Sequence, residues 1–262
     1  MIRALYSAAA GMYAQQLNID TISNNLANVN TTGFKRSRAE FQDLLYQNLR
    51  TNGVANSLGN VAPTELQVGT GVKTTSLTRQ MSQGDVAQTD NALDVAIEGM
   101  GFYQVQRLDG SVGYTRDGSF KLSSDGILVT TDGLTLQPEI AVPAGTTSIQ
   151  VSRDGVVSAL VGSDPAPVQV GTLELAIFTN PAGLRALGQN LYLETASSGA
   201  PLLGTPGTEE FGQLAQGFLE SSNVKVVEEM VAMINAQRAY EINSKAIRTS
   251  DDMLSTASNL RR

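Results

Sequence analysis

The chain has 262 residues, 41% of them apolar, and a net charge of −7. That length holds one large domain or two modest ones, and the acidity disfavours nucleic acid or an anionic membrane as main partner, since both need a concentrated basic surface. With no cysteine and no histidine, disulfides, the common zinc sites and every Ser-His triad are excluded.

At the N-terminus, Arg3 precedes a small-residue stretch that runs into QQLNID without an A-x-A pattern, so no cleaved signal peptide is expected. No run of 18 apolar residues exists to span a bilayer. From Ile2 the positions Ile2, Leu5, Ala9, Met12, Gln16, Ile19, Ser23 and Leu26 recur at 3-4 spacing, which predicts a helix of roughly 27 residues with a 3.5-residue seam. It runs into TISNNLANVNTTGFKR, residues 21 to 36, with four asparagines before Gly33, Phe34 and two bases.

All eight prolines, and all of the 25 glycines except Gly11 and Gly33, lie between residues 47 and 217. Helix-compatible ends therefore flank a middle that is not. Residues 47–73, rich in Gly and Asn, read as an arm, either a flexible linker or an extended segment that packs on a neighbour. Residues 74–217 read as a β-rich domain. Asp-Gly occurs five times there, at Asp109, Asp117, Asp125, Asp132 and Asp154, between short alternating stretches, and predicts hairpins in which both turn residues take positive φ. TRDGSFKL and SRDGVVSAL look like an internal echo.

Toward the C-terminus Val226, Met230, Met233, Gln237, Tyr240, Ser244, Ile247, Asp251 and Leu254 repeat the seam spacing, and Val227, Val231 and Ile234 add a second apolar line. This predicts a helix of roughly 35 residues with two faces to bury. The helices would be about 40 and 50 Å long, too long and too thinly apolar to stand alone. They pair with each other as an antiparallel hairpin, join an intermolecular bundle, or do both. Residues 1–46 and 218–262 together carry a net +1 and the middle −8. Copies can therefore approach through their ends at little Coulomb cost. The predicted class is α+β, with 1–46 and 218–262 forming an inner helical coiled-coil domain around a mainly β middle.

Chemistry is sparse. No Asp-Gly turn sits in a D-x-[DN]-x-[DN]-G loop closed by glutamate, and GTGVKT at 69–74 lacks the phosphate-loop order. A carboxylate pair for glycoside cleavage is conceivable from composition, but there is no tryptophan to build a sugar platform. No catalytic, cofactor or metal residue is nominated and no small-molecule substrate is expected. Three classes stay in view: a structural subunit, a wall-cleaving enzyme, and a secreted β binding domain with helical oligomerisation ends.

SNNLANVNTTGFKRSRAEFQDLLYQ at 23–47 and SSNVKVVEEMVAMINAQRAYEINSKAIRTSDDML at 221–254 resemble the terminal signatures of the bacterial flagellar rod and hook (axial) family. DVAIEGMGFYQVQRLDGSVGYTRDGSFKLSSDG at 94–126 resembles that family's β domain. The length and the arm are most similar to its distal-rod members; hook members usually carry a further outer domain for which this chain has no room. The resemblance implies terminal helices paired in an inner coiled coil, copies stacked helically into a hollow torque-transmitting shaft across the periplasm, and export by the flagellar type III apparatus without signal cleavage. It also implies proximal rod proteins, the hook protein and the surrounding P- and L-ring proteins as neighbours. On that footing the expected assembly surface comprises Leu5, Met12, Ile19, Leu26, Val226, Met230, Met233, Ile234, Tyr240, Ile247 and Leu254. Asn24, Asn25 and Asn28 would share a face and cross-link neighbouring helices through their amides, Gly33 would stop the helix in a left-handed conformation, and Phe34 would clasp it.

Overall fold

A computed structural model describes residues 2–50, 64–162, 166–208 and 210–259. It is α+β, with two long helices and a mainly β middle. Helix α1 is Ile2–Ala27 and helix α2 is Val226–Asn259, 26 and 34 residues long. The chain divides into two compact units. The first comprises 1–26, 37–78 and 225–262, the second 27–36 and 79–224. Residues 37–78, which span the end of the expected helical part and the arm, thus group with the helices.

In the first unit the chain after the helix is strand. Ser37–Asp43 pairs with Val72–Arg79. Of the arm expected at 47–73, residues 51–63 lie outside the described residues; Gln47–Arg50 and Leu66–Val68 pair antiparallel with each other. The alternating TELQV and VKTTSLTR patterns suit these half-exposed strands.

The second unit is built around Phe102–Gln106. This strand pairs antiparallel with Val112–Thr115 and Thr135–Gln137, and at its start with Leu175–Ile177. Its alternation feeds two cores, as a strand covered on both faces must. Tyr103 and Val105 enter a large aliphatic cluster with Val95, Ile97, Leu136, Ile140, Val157 and Leu175. Phe102 faces the other way, into an aromatic set with Tyr114, Phe178 and Tyr192 packed edge to face. A three-stranded sheet, Thr146–Val151, Val156–Val161 and Val168–Thr172, contributes the fully buried Val157 and Ala159 to the aliphatic cluster.

Four of the five Asp-Gly pairs make hairpin turns, but only the glycine takes positive φ: +81 at Gly110, +76 at Gly126, +80 at Gly133 and +83 at Gly155. Each glycine N–H donates to the carbonyl three residues back, at Arg107, Ser123, Thr130 and Ser152. That is a type I turn closed by a left-handed glycine, not the two-residue turn expected. The fifth pair is not such a turn. A Cβ on Gly118 would sit 1.8 Å from the Val95 carbonyl oxygen, so glycine is there for close backbone approach. The echo between TRDGSFKL and SRDGVVSAL therefore ends at the sequence.

Candidate functional site

The two helices meet within the first unit at two points. A Cβ on Gly11 would lie 2.8 Å from Asn243 Nδ2, and Asn25 Nδ2 donates to Glu229 Oε2 at 3.2 Å. Fourteen residues on along α1 correspond to fourteen residues back along α2, so the helices run antiparallel without a slip in register. The inward line of α1 is Ala8, Gly11, Ala14, Asn18, Thr21, Ile22 and Asn25, mostly small or polar. The expected seam lies beside it: Leu5, Met12, Ile19 and Leu26 are half-buried, while Ile2, Ala9, Gln16 and Ser23 are exposed. The line is made of small and polar residues, which a period count of bulky residues does not detect.

Helix α2 is far less covered. Glu229 and Ala236 are its only buried residues among those described. Met233, Ile247 and Leu254 are half-buried, but Val226, Val227, Met230, Val231, Ile234, Tyr240, Ile242 and Met253 are exposed. On α1 the large side chains Ile2, Tyr6 and Tyr13 are exposed too. An apolar stripe of this extent along a helix marks an interaction surface.

The last turn of α1 and the residues after it do something the sequence reading did not foresee. Asn25 is 1% exposed. Its Nδ2 donates to the Ser37 carbonyl at 2.8 Å and its Oδ1 accepts from the Ser37 N–H at 2.9 Å, so it fixes the chain's return past its own helix. Asn28 lies beyond the helix and its Oδ1 accepts from Thr31 Oγ1 at 3.2 Å. Asn24 is exposed. The three amides thus do not form one set on one face. Gly33 is left-handed, at φ +66, but six residues past the end of α1. Its conformation lets its N–H reach the Glu220 carbonyl at 2.8 Å, and a Cβ there would come within 2.9 Å of the backbone of Arg116 and Asp117. It serves this docking, not a helix stop; Phe34 is half-buried in the same segment.

Next to it, in the second unit, lies a buried charge cluster. Glu220 Oε1 accepts from Lys35 Nζ at 2.5 Å and from the Gly84 N–H at 2.8 Å, and Arg116 Nη1 lies 3.4 Å from Glu220 Oε2. Lys35 also donates to the Ser82 carbonyl at 2.9 Å, and Arg116 to the Gly99 carbonyl at 2.7 Å, with its guanidinium 5.4 Å from the Phe102 ring centroid. Side-chain exposures are 1% for Lys35, 5% for Arg116 and 1% for Glu220. Burial holds the Lys35 ammonium and the Arg116 guanidinium below their ordinary pKa values, with Glu220 opposing the shift in both. Two cations on one carboxylate leave the cluster with an excess of positive charge. Beside it, the Arg36 N–H donates to Asn223 Oδ1 at 2.7 Å, the Gln80 N–H to the Arg36 carbonyl at 2.9 Å, and Asn223 Nδ2 to the Gln80 carbonyl at 2.8 Å.

Lys35, Glu220 and Asn223 had a signal in the sequence, since TTGFKR and FLESSNV place ionisable and amide groups among small and apolar ones. What was missing was the pairing across 185 residues. Among the described residues no cluster of three acidic, histidine or cysteine side chains is placed to hold a metal, and no helix is long and apolar enough to cross a membrane. The arrangement offers surfaces for contact.

Three family models match the chain: "Flagella basal body rod protein" over residues 5–35, "Flagellar hook protein FlgE/F/G D1 domain" over 96–159, and "Flagellar basal body rod FlgEFG protein C-terminal" over 215–260. The chain is 52% identical to the flagellar basal-body rod protein FlgG of Buchnera aphidicola subsp. Acyrthosiphon pisum over 99% of its length and 100% of the relative's. It is 52% identical to FlgG of Borreliella burgdorferi over 100% of both. Similarity to the flagellar basal-body rod protein FlgF of Caulobacter vibrioides is lower, 33% identity over 98% of the chain and 97% of the relative.

Proposed function

Since the chain belongs to the FlgG family of flagellar basal-body rod proteins, we propose that it is a structural subunit of the distal rod, polymerising helically into the hollow shaft that carries torque from motor to hook. It works in the flagellar basal body, itself its main partner, with proximal rod proteins below, the hook protein above and the P- and L-ring proteins around it. It is exported by the flagellar type III apparatus and is not an enzyme. Residues 1–46 and 218–262 make the inner coiled-coil layer, 47–73 an arm, and 74–217 the outer β layer.

The observation that carries this reading is the uncovered face of α2. A 34-residue helix with two buried residues is stable only when other helices cover it, because helical stability comes chiefly from packing. Full burial of one such side chain contributes roughly 1.5–3 kcal/mol. Repeated along Val227, Val231, Ile234 and their neighbours in every subunit, that suffices to drive polymerisation. Contacts of this kind between different faces do not close and give open helical polymers. Val227→Asp with Ile234→Asp should leave the β unit's melting unchanged while rods disappear from isolated basal bodies. Rods at normal yield would refute the assignment of this face.

A further inference from the structure

Each terminal helix carries an uncovered apolar stripe on the side away from its partner helix. On α1, Ile2, Tyr6, Ala9 and Tyr13 recur at 4-3-4 spacing and all are exposed, Tyr6 at 69% and Tyr13 at 70%. Counted at 3.6 residues per turn, they lie on the far side of the helix from Ala8, Gly11 and Ala14, which face inward. On α2, the exposed Val227, Val231 and Ile234 keep the same heptad spacing and lie on the far side from the buried Glu229 and Ala236. The stripes therefore sit on opposite outer sides of one antiparallel pair. Within a chain neither can cover the other, whereas the α1 stripe of a second copy can cover the α2 stripe of the first.

We infer that the α1 stripe of one copy packs on the α2 stripe of the next, displaced two heptads toward the start of α2 from the register the helices keep within a chain. This rests on the rod reading above. Copies stacked in one orientation present α1 to the neighbour's α2 antiparallel, as in the chain itself, where Gly11 lies level with Asn243 and Asn25 with Glu229. The layers of such a seam interlock only at displacements of whole heptads, so few registers exist and the side chains decide among them.

With no displacement Tyr6 would meet Arg248, Ala9 would meet Lys245 and Tyr13 would meet Glu241. Displacement by one heptad sets Ile2 on Lys245, Tyr6 on Glu241 and Asp20 on Val227, and displacement the other way sets Ala9 on Asp252 and Tyr13 on Arg248. Two heptads set Tyr6 on Ile234, Ala9 on Val231 and Tyr13 on Val227, three apolar layers in succession, and lay the alkyl stem of Arg238 over Ile2. A third heptad carries Ala9 past the start of α2. The chosen register corresponds to an axial step of about 21 Å between the two copies. Each copy offers a different stripe on each side, so the contact is head to tail and continues from copy to copy.

The chain has no cysteine, so paired cysteines report the register. The unaltered chain must first restore rods in cells lacking their own distal rod subunit. If it does not, the rod reading fails and takes this contact with it. Given rods, oxidation of basal bodies built from Tyr13→Cys with Val227→Cys should yield a disulfide ladder of dimers, trimers and longer chains that neither single variant gives. Tyr13→Cys with Ile234→Cys reports a displacement of one heptad, and Tyr13→Cys with Glu241→Cys reports none; both should stay monomeric. A ladder from either of these overturns the register, and dimers from Val227→Cys alone overturn the pairing, because they mark α2 on α2. Rods whose subunit stays monomeric in every variant also overturn it and leave the rod reading intact. If the first pair builds no rods, Tyr13→Lys and Val227→Glu decide. Each alone should cut rod yield at least tenfold and the two together should restore it. Singles at parental yield, or a double no better than the singles, overturn the pairing.

Discussion

Removing the charge of Glu220 without changing its shape should be among the most damaging single changes to the β unit. Glu220→Gln leaves Lys35 and Arg116 buried within reach of one neutral amide, where one carboxylate now serves both. Breaking a buried pair by deleting one partner costs about 3–5 kcal/mol, chiefly the uncompensated charge left behind. Lys35→Met acts in the opposite sense, because it leaves one cation on one anion, with Arg116 still held by the Gly99 carbonyl and the Phe102 ring. Its cost is the lost bonds to Glu220 and the Ser82 carbonyl, offset by relief from burying an ammonium, and should stay below about 2 kcal/mol. For a unit of about 150 residues, 1 kcal/mol moves Tm by about 2–4 °C. Glu220→Gln should therefore melt about 6–20 °C below the parent, and Lys35→Met no more than about 4–8 °C below it, in thermal melts followed by circular dichroism of the soluble chain. The reasoning is refuted if Lys35→Met is the more destabilised of the two, or if Glu220→Gln melts with the parent.

Asn25→Ala strips partners from both polar groups of Ser37 and should cost about 2–3 kcal/mol, read by denaturant unfolding of the soluble chain; an effect confined to rod assembly would refute its internal role. Gly33→Ala, with φ +66 and a backbone contact at 2.9 Å, should destabilise more than Gly133→Ala, where φ is +80 but nothing lies within 4 Å. The latter should lose only the left-handed conformational cost, about 1 kcal/mol, and equal losses would show that the contact does not matter. Alkali should unfold the β unit. Burial pushes the phenols of Tyr103 and Tyr192 above their ordinary value, and burial aided by Glu194 pushes Tyr114 up to about 12. The unfolded chain then releases protons from about pH 10 while the folded one keeps them, so this stability is whole below pH 10 and falls from there toward pH 12. In a variant with the exposed Tyr6, Tyr13, Tyr46 and Tyr240 replaced by phenylalanine, absorbance at 295 nm should rise in step with loss of β circular dichroism, and a rise that precedes unfolding would contradict the burial argument.

The sequence made the gross plan legible. The confinement of proline and nearly all glycine to 47–217 separated helix from strand, and the 3-4 spacing gave both helices to within a residue or so of their lengths. The line of α1 that faces inward within the chain lies one position from the 3-4 seam because it is made of Ala8, Gly11 and Ala14, small residues that a count of bulky ones passes over. The roles of Asn25 and Gly33 depend on Ser37, Arg116 and Glu220, contacts that no local pattern encodes. Lys35 and Arg116 entered the sequence reading only through the charge balance, and only the fold shows them sharing one carboxylate.

The hydrogen bonds among Arg36, Gln80 and Asn223 have a mechanical consequence. Three segments far apart in the sequence, at residues 36, 80 and 223, are tied together there within the second unit. Tension along any one of these strands loads the other two at once. A strand pulled alone from the rim of a sheet peels away bond by bond, whereas three strands anchored together must fail together. Releasing any one of the three segments therefore removes a hydrogen-bond partner from at least one of the others, which makes this corner of the β unit cooperative.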